Sequence, residues 1–196
     1  NFKEGEVLYF DKPLKWTSFA VVNKIRYHIC GKLGVKKIKV GHAGTLDPKA
    51  TGLLIVCTGK ATKEISKIQD APKEYIATVK LGVQTESYDT EKPEINPKVI
   101  SHLSESQILD ALKTFEGEIM QTPPIFSALK VEGKRAYDLA REGKVVEMKS
   151  RPTTIHYLDQ IEIDLPFVHF RVGCSKGTYI RSLAHDIGLA LEVGSY

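Results

Sequence analysis

Residues 41–54, Gly41-His42-Ala43-Gly44-Thr45-Leu46-Asp47-Pro48-Lys49-Ala50-Thr51-Gly52-Leu53-Leu54, join a glycine-rich loop to the start of an apolar run. Glycine lets the backbone come close to a ligand, and Pro48 biases the preceding residue, Asp47, toward an extended conformation. The apolar run over 53–57 predicts a strand that is buried on both faces. The sequence therefore predicts a loop that presents one carboxylate beside a core strand.

The charge around this loop is strongly basic. The chain has 196 residues with a formal net charge of +4, yet between Lys12 and Lys63 there are 11 Lys and Arg and one acidic residue, Asp47. Such a segment is typical of a protein that binds a polyanion, most commonly a nucleic acid, although a solvated lysine-rich face gives the same count. Nearby cations favour an ionised carboxylate, so Asp47 suits a nucleophile or a base. An Asx-turn that caps a backbone amide is the structural alternative.

Composition and motif spacing exclude several classes of function. Hydrophobic residues make up 42% and charged residues 27% of the chain, which is typical of a globular domain. No apolar run approaches the ~18 residues that span a bilayer, and the first residues carry no signal-peptide pattern. Cys30, Cys57 and Cys174 are far apart, which disfavours both a disulfide framework and a cysteine zinc site. The same cysteine usage favours a reduced, cytoplasmic location. We find no phosphate loop, serine-hydrolase elbow or catalytic-metal spacing, so we expect no metal.

Hydrophobic periodicity predicts the order of the secondary structure. The predicted strands cover residues 6–10, 53–57, 75–81, 125–131 (ending at a turn of Glu132 and Gly133), 153–164 and 167–174. The first predicted helix begins at Thr17 or Ser18 and is ended by Gly31 and Gly34. Further helices are predicted over 62–70, from a capping box at Ser104 and Gln107, over 135–142, and after Gly177. Residues 84–103 are polar and predict an exposed loop. Because the strands mostly follow one another without full helices between them, the predicted fold class is α+β.

Four blocks resemble a known family. Residues 41–54 resemble the catalytic motif of the TruB-type tRNA pseudouridine synthases, and three further blocks match that family in order: Lys73-Glu74-Tyr75, Ser127-Ala128-Leu129-Lys130 and Cys174-Ser175-Lys176-Gly177-Thr178-Tyr179-Ile180-Arg181. The resemblance extends from Val7 to Gly188. Residues 81–89 and 127–151 are more similar to the stand-alone bacterial branch than to the relatives in guide-RNA particles. The resemblance implies the pseudouridine synthase fold, with a mixed, mostly antiparallel central sheet flanked by helices and loops.

The resemblance also implies a reaction, the isomerisation of uridine 55 in the T-loop of tRNA to pseudouridine without a cofactor. Asp47 would be the catalytic carboxylate, either adding to C1′ or removing the C2′ proton. Tyr75 would pack on the target base, although it could simply be a core residue. Arg181 would pair with Asp47 and hold it ionised. The base would have to leave its stack, so base flipping is expected.

The resemblance further implies how RNA is bound and how the chain is organised. The implied substrate-binding residues are His42, Gly44, Thr45, Leu46, Lys130, Lys176 and Tyr179. Residues 121–151 would form a thumb-like RNA-binding insertion, which could equally be an edge hairpin with its helix. Residues 1–196 would be one catalytic domain, and the small PUA-type RNA-binding domain of the family is absent from this chain.

The implied partner is the T-stem-loop of tRNA. No membrane and no obligatory protein partner are expected, and we expect a monomer. The alternative hypothesis is a non-catalytic T-loop RNA-binding module or tRNA chaperone of the same fold. The joint presence of Asp47, Tyr75 and Arg181 favours the enzyme.

Overall fold

The computed structural model describes residues 1–131, 133–143 and 146–196, which form two compact units. Unit 1 is Asn1–Ala71 and unit 2 is Pro72–Tyr196. Each unit has its own β-sheet and its own cluster of buried apolar side chains.

In unit 1, a three-stranded antiparallel sheet packs against one long helix. Its elements in chain order are β1 (Val7–Lys12), α1 (Ser18–Leu33), β2 (Val40–His42), β3 (Gly52–Thr58), a 3-10 helix (Gly59–Glu64) and α2 (Ile65–Gln69), with the strands in the order β1-β3-β2. The main-chain N–H of Ala20 donates to the Thr17 side chain and so caps the start of α1. The core contains Val21, Val22, Ile29, Ile38, Val40, Leu54 and Val56.

Two predictions for unit 1 are wrong in part. Gly31 does not end α1, because the helix continues to Leu33 and stops where Gly34 adopts a left-handed φ of 61°. Strand β3 is not buried on both faces along its length: Val56 and Cys57 are fully buried, but Leu53 is 62% exposed. The core cluster of unit 1 covers one face of the sheet, as is common for antiparallel sheets.

In unit 2, a four-stranded antiparallel sheet with the order β4-β9-β8-β5 packs against two helices. Its elements are β4 (Lys73–Lys80), α3 (Glu105–Lys113), β5 (Gly117–Gln121), β6 (Lys130–Val131), β7 (Lys134–Arg135), α4 (Ala136–Arg141), β8 (Arg151–Asp164), β9 (Phe167–Cys174) and α5 (Ile180–Ala190). Strands β6 and β7 form a separate short hairpin. The core combines alternate residues of β4 and β9 with one face of each helix, including Ala77, Val79, Val168, Phe170, Ile108, Leu112, Leu183 and Ile187.

Several predictions for unit 2 are confirmed. Ala77 and Val79 of β4 are buried and their neighbours are not, as the alternating pattern predicts. The capping box is present, since Gln107 N–H donates to the Ser104 hydroxyl and the Ser104 N–H donates to the Gln107 side chain. The fold class is α+β as predicted, and every strand pair within the described residues is antiparallel.

Two other predictions for unit 2 are wrong in part. Of residues 125–131, Lys130 and Val131 alone are paired as a strand, because the carbonyls of Ser127 and Leu129 accept hydrogen bonds from the first residues of α4. The predicted turn residue Glu132 lies outside the described residues. Residues 84–103 are not exposed throughout, since Thr85 and Ser87 are buried.

Candidate active site

The loop that carries Asp47 is held by the hydroxyl of Ser18 in unit 1. Ser18 Oγ donates to the carbonyl of Leu46 at 3.1 Å and accepts from the Leu46 N–H at 3.0 Å. Ser18 is 2% exposed, at the first position of α1. One side chain therefore satisfies both main-chain polar groups of the residue before Asp47. This restricts the backbone direction from which the carboxylate projects.

The other loop residues implied by the resemblance lie beside Asp47. His42 Nδ1 lies 2.5 Å from the carbonyl of Gly44, and since a carbonyl only accepts, Nδ1 carries the proton. Gly44 has a φ of 141° with open space around the position of a Cβ, so this glycine is required by its backbone conformation. Thr45 is exposed, and Leu46 and Asp47 are half-buried. The structure thus brings all five predicted residues of this loop together.

Lys12 is a charged residue of unit 1 that the sequence analysis did not single out. Its side chain is fully buried, and Nζ donates to the carbonyls of Pro13 at 3.0 Å and Trp16 at 2.7 Å. Burial lowers the pKa of Lys12, and the negative charge of Asp47 opposes that effect. The two residues are therefore electrostatically coupled, with the ionised carboxylate favouring the ammonium form. Strand alternation was the available signal, because Lys12 follows Leu8 and Phe10 at a spacing of two.

A basic cleft lies between α1 and β2 of unit 1. It has a volume of about 510 Å³, and its charged lining residues are Arg26, Lys37 and Lys39. The Arg26 guanidinium donates to the carbonyl of Val40 at 3.1 Å, which fixes this cation at the wall. The buried side chain of Ile38 anchors the lysines on either side of it. The surface is suited to an anionic ligand such as a phosphodiester backbone.

In unit 2, Arg181 is held by the segment 85–89. Its guanidinium donates to the carbonyl of Ser87 at 3.1 Å and to that of Phe126 at 3.0 Å, and its Nε lies 3.8 Å from Asp89 Oδ2. The side chains of Arg181 and Asp89 are 13% and 14% exposed. Asp89 is a further residue that the sequence analysis missed. The predicted pairing of Arg181 with Asp47 joins residues of different units and stays a prediction.

Asp89 is itself held in place by its neighbours. The Ser87 hydroxyl donates to Asp89 Oδ1 at 2.6 Å, and the N–H of Glu91 donates to the same oxygen at 2.9 Å. The Thr85 hydroxyl donates to the Asp89 carbonyl at 2.8 Å and accepts from the Asp89 N–H at 3.1 Å. These bonds explain why Thr85 and Ser87 are buried in a polar segment.

The other predicted site residues of unit 2 lie on β4, on β6 and shortly before α5. Tyr75 is half-buried on β4, where it packs against the core cluster, so its side chain is compatible with a core role as well as a functional one. Tyr179 precedes α5, and its N–H donates to Gln121 Oε1 at 2.8 Å while its carbonyl accepts from Gln121 Nε2 at 3.1 Å. Lys130 on β6 and Lys176 before α5 are both exposed.

Neither a metal-binding cluster nor a membrane-spanning helix is found among the residues that the structure describes. Within residues 1–131, 133–143 and 146–196, no group of three or more His, Cys, Asp or Glu side chains is arranged to hold a metal ion. No helix in the same ranges is long and apolar enough to cross a membrane.

Comparison with known sequences identifies a family. The family model described as "TruB family pseudouridylate synthase (N terminal domain)" matches residues 31–180. The tRNA pseudouridine synthase B of Phocaeicola vulgatus is 62% identical over 196 residues, covering 100% of this chain and 83% of the relative. The protein of the same name from Bacteroides fragilis is 57% identical, covering 100% of this chain and 84% of the relative.

Comparison with solved structures points to the same fold. A chain in the "Crystal Structure of a Cbf5-Nop10-Gar1 Complex" matches with a TM-score of 0.71 and 36% identity, covering 100% of this chain and 46% of that one. A chain in the "Structure of H/ACA RNP bound to a substrate RNA containing 2'-deoxyuridine" matches with a TM-score of 0.66 and 32% identity, covering 100% and 45%. Both sequence relatives share a higher identity with the chain than these two structures do.

Proposed function

Because the chain belongs to the TruB family of pseudouridylate synthases, we propose that it isomerises uridine 55 in the T-loop of tRNA to pseudouridine. Membership of the family makes the chain an isomerase and a pseudouridine synthase. The name tRNA pseudouridine synthase B of its relatives supports tRNA as the substrate. The particular uridine is what the resemblance over residues 7–188 implies, with residues 81–89 and 127–151 more similar to the stand-alone bacterial branch.

The reaction needs no electron donor or acceptor. The N1–C1′ bond of the uridine breaks, the uracil rotates, and a C5–C1′ bond forms. C5 loses its hydrogen as a proton, and N1 gains a proton. The chain must therefore supply a group that acts at the sugar and a group that assists proton removal from C5. It must also hold the target nucleotide outside the helical stack.

We assign Asp47 as the carboxylate that acts at the ribose of the target uridine. The observation that carries this assignment is the loop itself, in which the Ser18 hydroxyl holds both main-chain groups of Leu46 next to Asp47. A rigid loop can present a carboxylate in one direction, as covalent or base catalysis requires. The negative charge of Asp47 also opposes the lowering of the Lys12 pKa by burial, so the loop lies beside a buried amine that the carboxylate helps to keep charged.

Tyr75 and Arg181 are the residues of unit 2 that we assign to catalysis. Tyr75 would pack on the target base and help remove the C5 proton, and its half-buried position on β4 leaves part of the ring accessible. Arg181 would orient the catalytic carboxylate. An arginine with few exposed atoms that is fixed by two carbonyls and Asp89 is suited to such a task, because its guanidinium cannot rotate freely.

RNA affinity is assigned to the basic surface of unit 1 and to contacts in unit 2. The exposed side chains of Lys36, Lys37 and Lys39 would meet phosphates beside the cleft. His42 and the loop residues 44–46 would contact RNA near the flipped base, together with Lys130, Lys176 and Tyr179. The insertion over 121–151 would act as a thumb on the T-loop. We further propose a cytoplasmic monomer without an obligatory protein partner.

The test is release of tritium from a T-stem-loop RNA that is labelled at uracil C5. Because C5 exchanges its hydrogen for the bond to C1′, one tritium should enter water for each uridine converted, and nuclease digestion should yield pseudouridine. A chelator should leave the rate unchanged. The matched control is the same RNA with cytidine at the target position.

Three results would contradict the proposal. Absence of tritium release under conditions where the RNA is bound would favour the non-catalytic module. Loss of activity in chelator, with recovery on adding one particular metal, would contradict the metal-independent reaction. Equal release from T-stem-loops with the uridine at 55 and at a neighbouring position would contradict the assigned target.

A further inference from the structure

Tyr88 and His185 form a stacked aromatic pair next to the residues that hold Arg181. Their ring centroids lie 3.9 Å apart and the ring planes differ by 8°. His185 lies on α5, four residues after Arg181, so both side chains project from the same face of that helix. Tyr88 lies between Ser87 and Asp89, which both contact Arg181. One face of α5 therefore contacts segment 85–89 twice, through Arg181 and through His185.

The backbone at Tyr88 needs such support. Tyr88 has a φ of 58°, in the left-handed region that bulky residues rarely adopt. The turn that contains it is closed by a hydrogen bond from the Tyr88 N–H to the Thr85 carbonyl at 3.3 Å. A strained backbone of this kind persists where surrounding contacts over-determine it, and such residues cluster at functional sites.

The surroundings of His185 indicate that its ring acts through its aromatic face and not through its nitrogen atoms. Its Nδ1 is buried without a hydrogen-bond partner among the described residues. Burial also lowers the pKa of His185, which favours the neutral ring. Burial raises the pKa of the Tyr88 phenol, as the carboxylate of Asp186 does, which keeps that ring neutral too. Two neutral rings stack without the cost of burying a charge.

We propose that Tyr88 and His185 are positioning residues, whose stacked rings hold segment 85–89 in the conformation in which Ser87 and Asp89 fix the Arg181 guanidinium. The proposal rests on the catalytic role assigned to Arg181 above. It assigns the aromatic surface, rather than the imidazole nitrogens, as the property that matters at position 185. It also explains why a tyrosine occupies a left-handed position that asparagine or glycine would adopt more easily.

The experiment compares two substitutions of one residue. His185→Leu removes the flat ring and keeps apolar bulk, whereas His185→Phe keeps the ring and removes both nitrogens. We expect His185→Leu to lower kcat for the T-stem-loop RNA about tenfold with Kd unchanged, and His185→Phe to stay within about twofold of the parent. Tyr88→Phe should behave like His185→Phe. Leu189→Ala, one turn further along α5 at an exposed position, is the matched control.

A second measurement does not depend on turnover. The Arg181 side-chain Nε–H signal in a ¹⁵N spectrum, assigned by its absence in Arg181→Lys, should exchange with water several-fold faster in His185→Leu and at the parent rate in His185→Phe. Equal exchange and equal kcat in both variants would overturn the proposal, as would a loss of kcat in His185→Phe as large as that in His185→Leu.

The controls separate this inference from the proposed function. If Arg181→Lys kept the parent kcat, the role assigned to Arg181 would be wrong, and the positioning role would be overturned with it. If Arg181→Lys lost activity while His185→Leu kept it, the positioning role alone would be overturned. A lower melting temperature for His185→Leu with unchanged kcat and unchanged exchange would likewise overturn it, since that is the signature of a purely structural stack.

Discussion

The hydroxyl of Ser18 holds the main chain of Leu46 from both sides, donating to its carbonyl and accepting from its N–H. The two residues are 28 positions apart, one at the start of α1 and the other next to Asp47. This pair links the helix to the loop that carries the proposed catalytic carboxylate. The loop's geometry therefore depends on a residue outside the glycine-rich motif.

Substitution Ser18→Ala should impair catalysis more than binding. The variant lacks both hydrogen bonds, and leaving buried polar groups unsatisfied costs about 1–3 kcal/mol. If half of this free energy appears as misplacement of Asp47, kcat should fall between about twofold and about tenfold. We expect the Kd for the T-stem-loop RNA to change less than about twofold, as measured by filter binding beside the tritium assay.

The neighbouring residue supplies a matched control. Thr17→Ala removes the cap of the same helix, at a cost of about 1 kcal/mol in the free energy of unfolding. It leaves the Leu46 contacts in place. Thr17→Ala should therefore lower the melting temperature without lowering kcat. Equal kcat values for the two variants would show that Ser18 acts through stability alone.

Substitution Asp47→Asn should separate chemistry from binding. The amide keeps the shape of the side chain but lacks the charge that the reaction needs, so tritium release should vanish. RNA binding should persist or tighten, because one negative charge is removed beside a polyanion. Single-turnover tritium release and RNA titration of the same preparation check both halves. Full turnover by this variant would refute the assignment of Asp47.

Charge reversal at Lys36, Lys37 and Lys39 should weaken RNA binding and flatten its salt dependence. The slope of log K against log salt should fall by about one unit for each phosphate that the variant no longer binds. The rate at saturating RNA should change much less. Lys113→Glu, on the exposed end of α3, changes the net charge by two and is the control for each of the three single reversals. A reduced saturated rate with unchanged affinity and slope would exclude this segment as the RNA-binding surface.

Substitution Asp186→Asn should stabilise the protein at neutral pH. Burial raises the pKa of Asp186 from 3.8 to about 6, so between these values the folded chain keeps a proton that the unfolded chain releases. The free energy of unfolding of the parent therefore decreases as pH rises through this window. The amide cannot ionise, so it should gain about 1–2 kcal/mol over the parent above pH ~6, after allowance for partial exposure.

Urea denaturation at acidic and neutral pH measures this difference. The advantage of Asp186→Asn should be small near pH ~4, grow up to pH ~6 and then stay constant. Asp110→Asn, which replaces an exposed carboxylate on α3, is the control. An advantage that is the same at every pH would show that the gain comes from packing and not from ionisation.

The elements with regular periodicity could be predicted from the sequence, and the buried polar residues could not. Alternation along β4 and the capping box at Ser104 are local patterns, and the structure has both. Burial of Thr85 and Ser87 depends on Asp89 and on Arg181, whose bond to the Ser87 carbonyl spans 94 residues. Nothing within 84–103 indicates that partner, so the sequence predicts an exposed loop there.

The candidate site likewise contains residues that could be predicted from the sequence and residues that could not. The loop around Asp47 could be predicted because glycine, proline and charge are all concentrated in adjacent residues. Ser18 could not be singled out, since its partner is distant in sequence and its hydroxyl is equally suited to capping α1. Lys12 combines a charged side chain with a core-facing position in β1, and composition alone favours exposure of lysine.

The contacts between Ser18 and Leu46 also bear on how the recognition of RNA could change over evolution or in the laboratory. Ser18 binds main-chain atoms of position 46, its N–H and carbonyl, and these hydrogen bonds do not involve the leucine side chain. These two hydrogen bonds therefore place no requirement on the side chain at position 46, whereas position 18 requires a small hydroxyl. Randomising residue 46 offers a route to altered sequence preference that spares the machinery for bond cleavage.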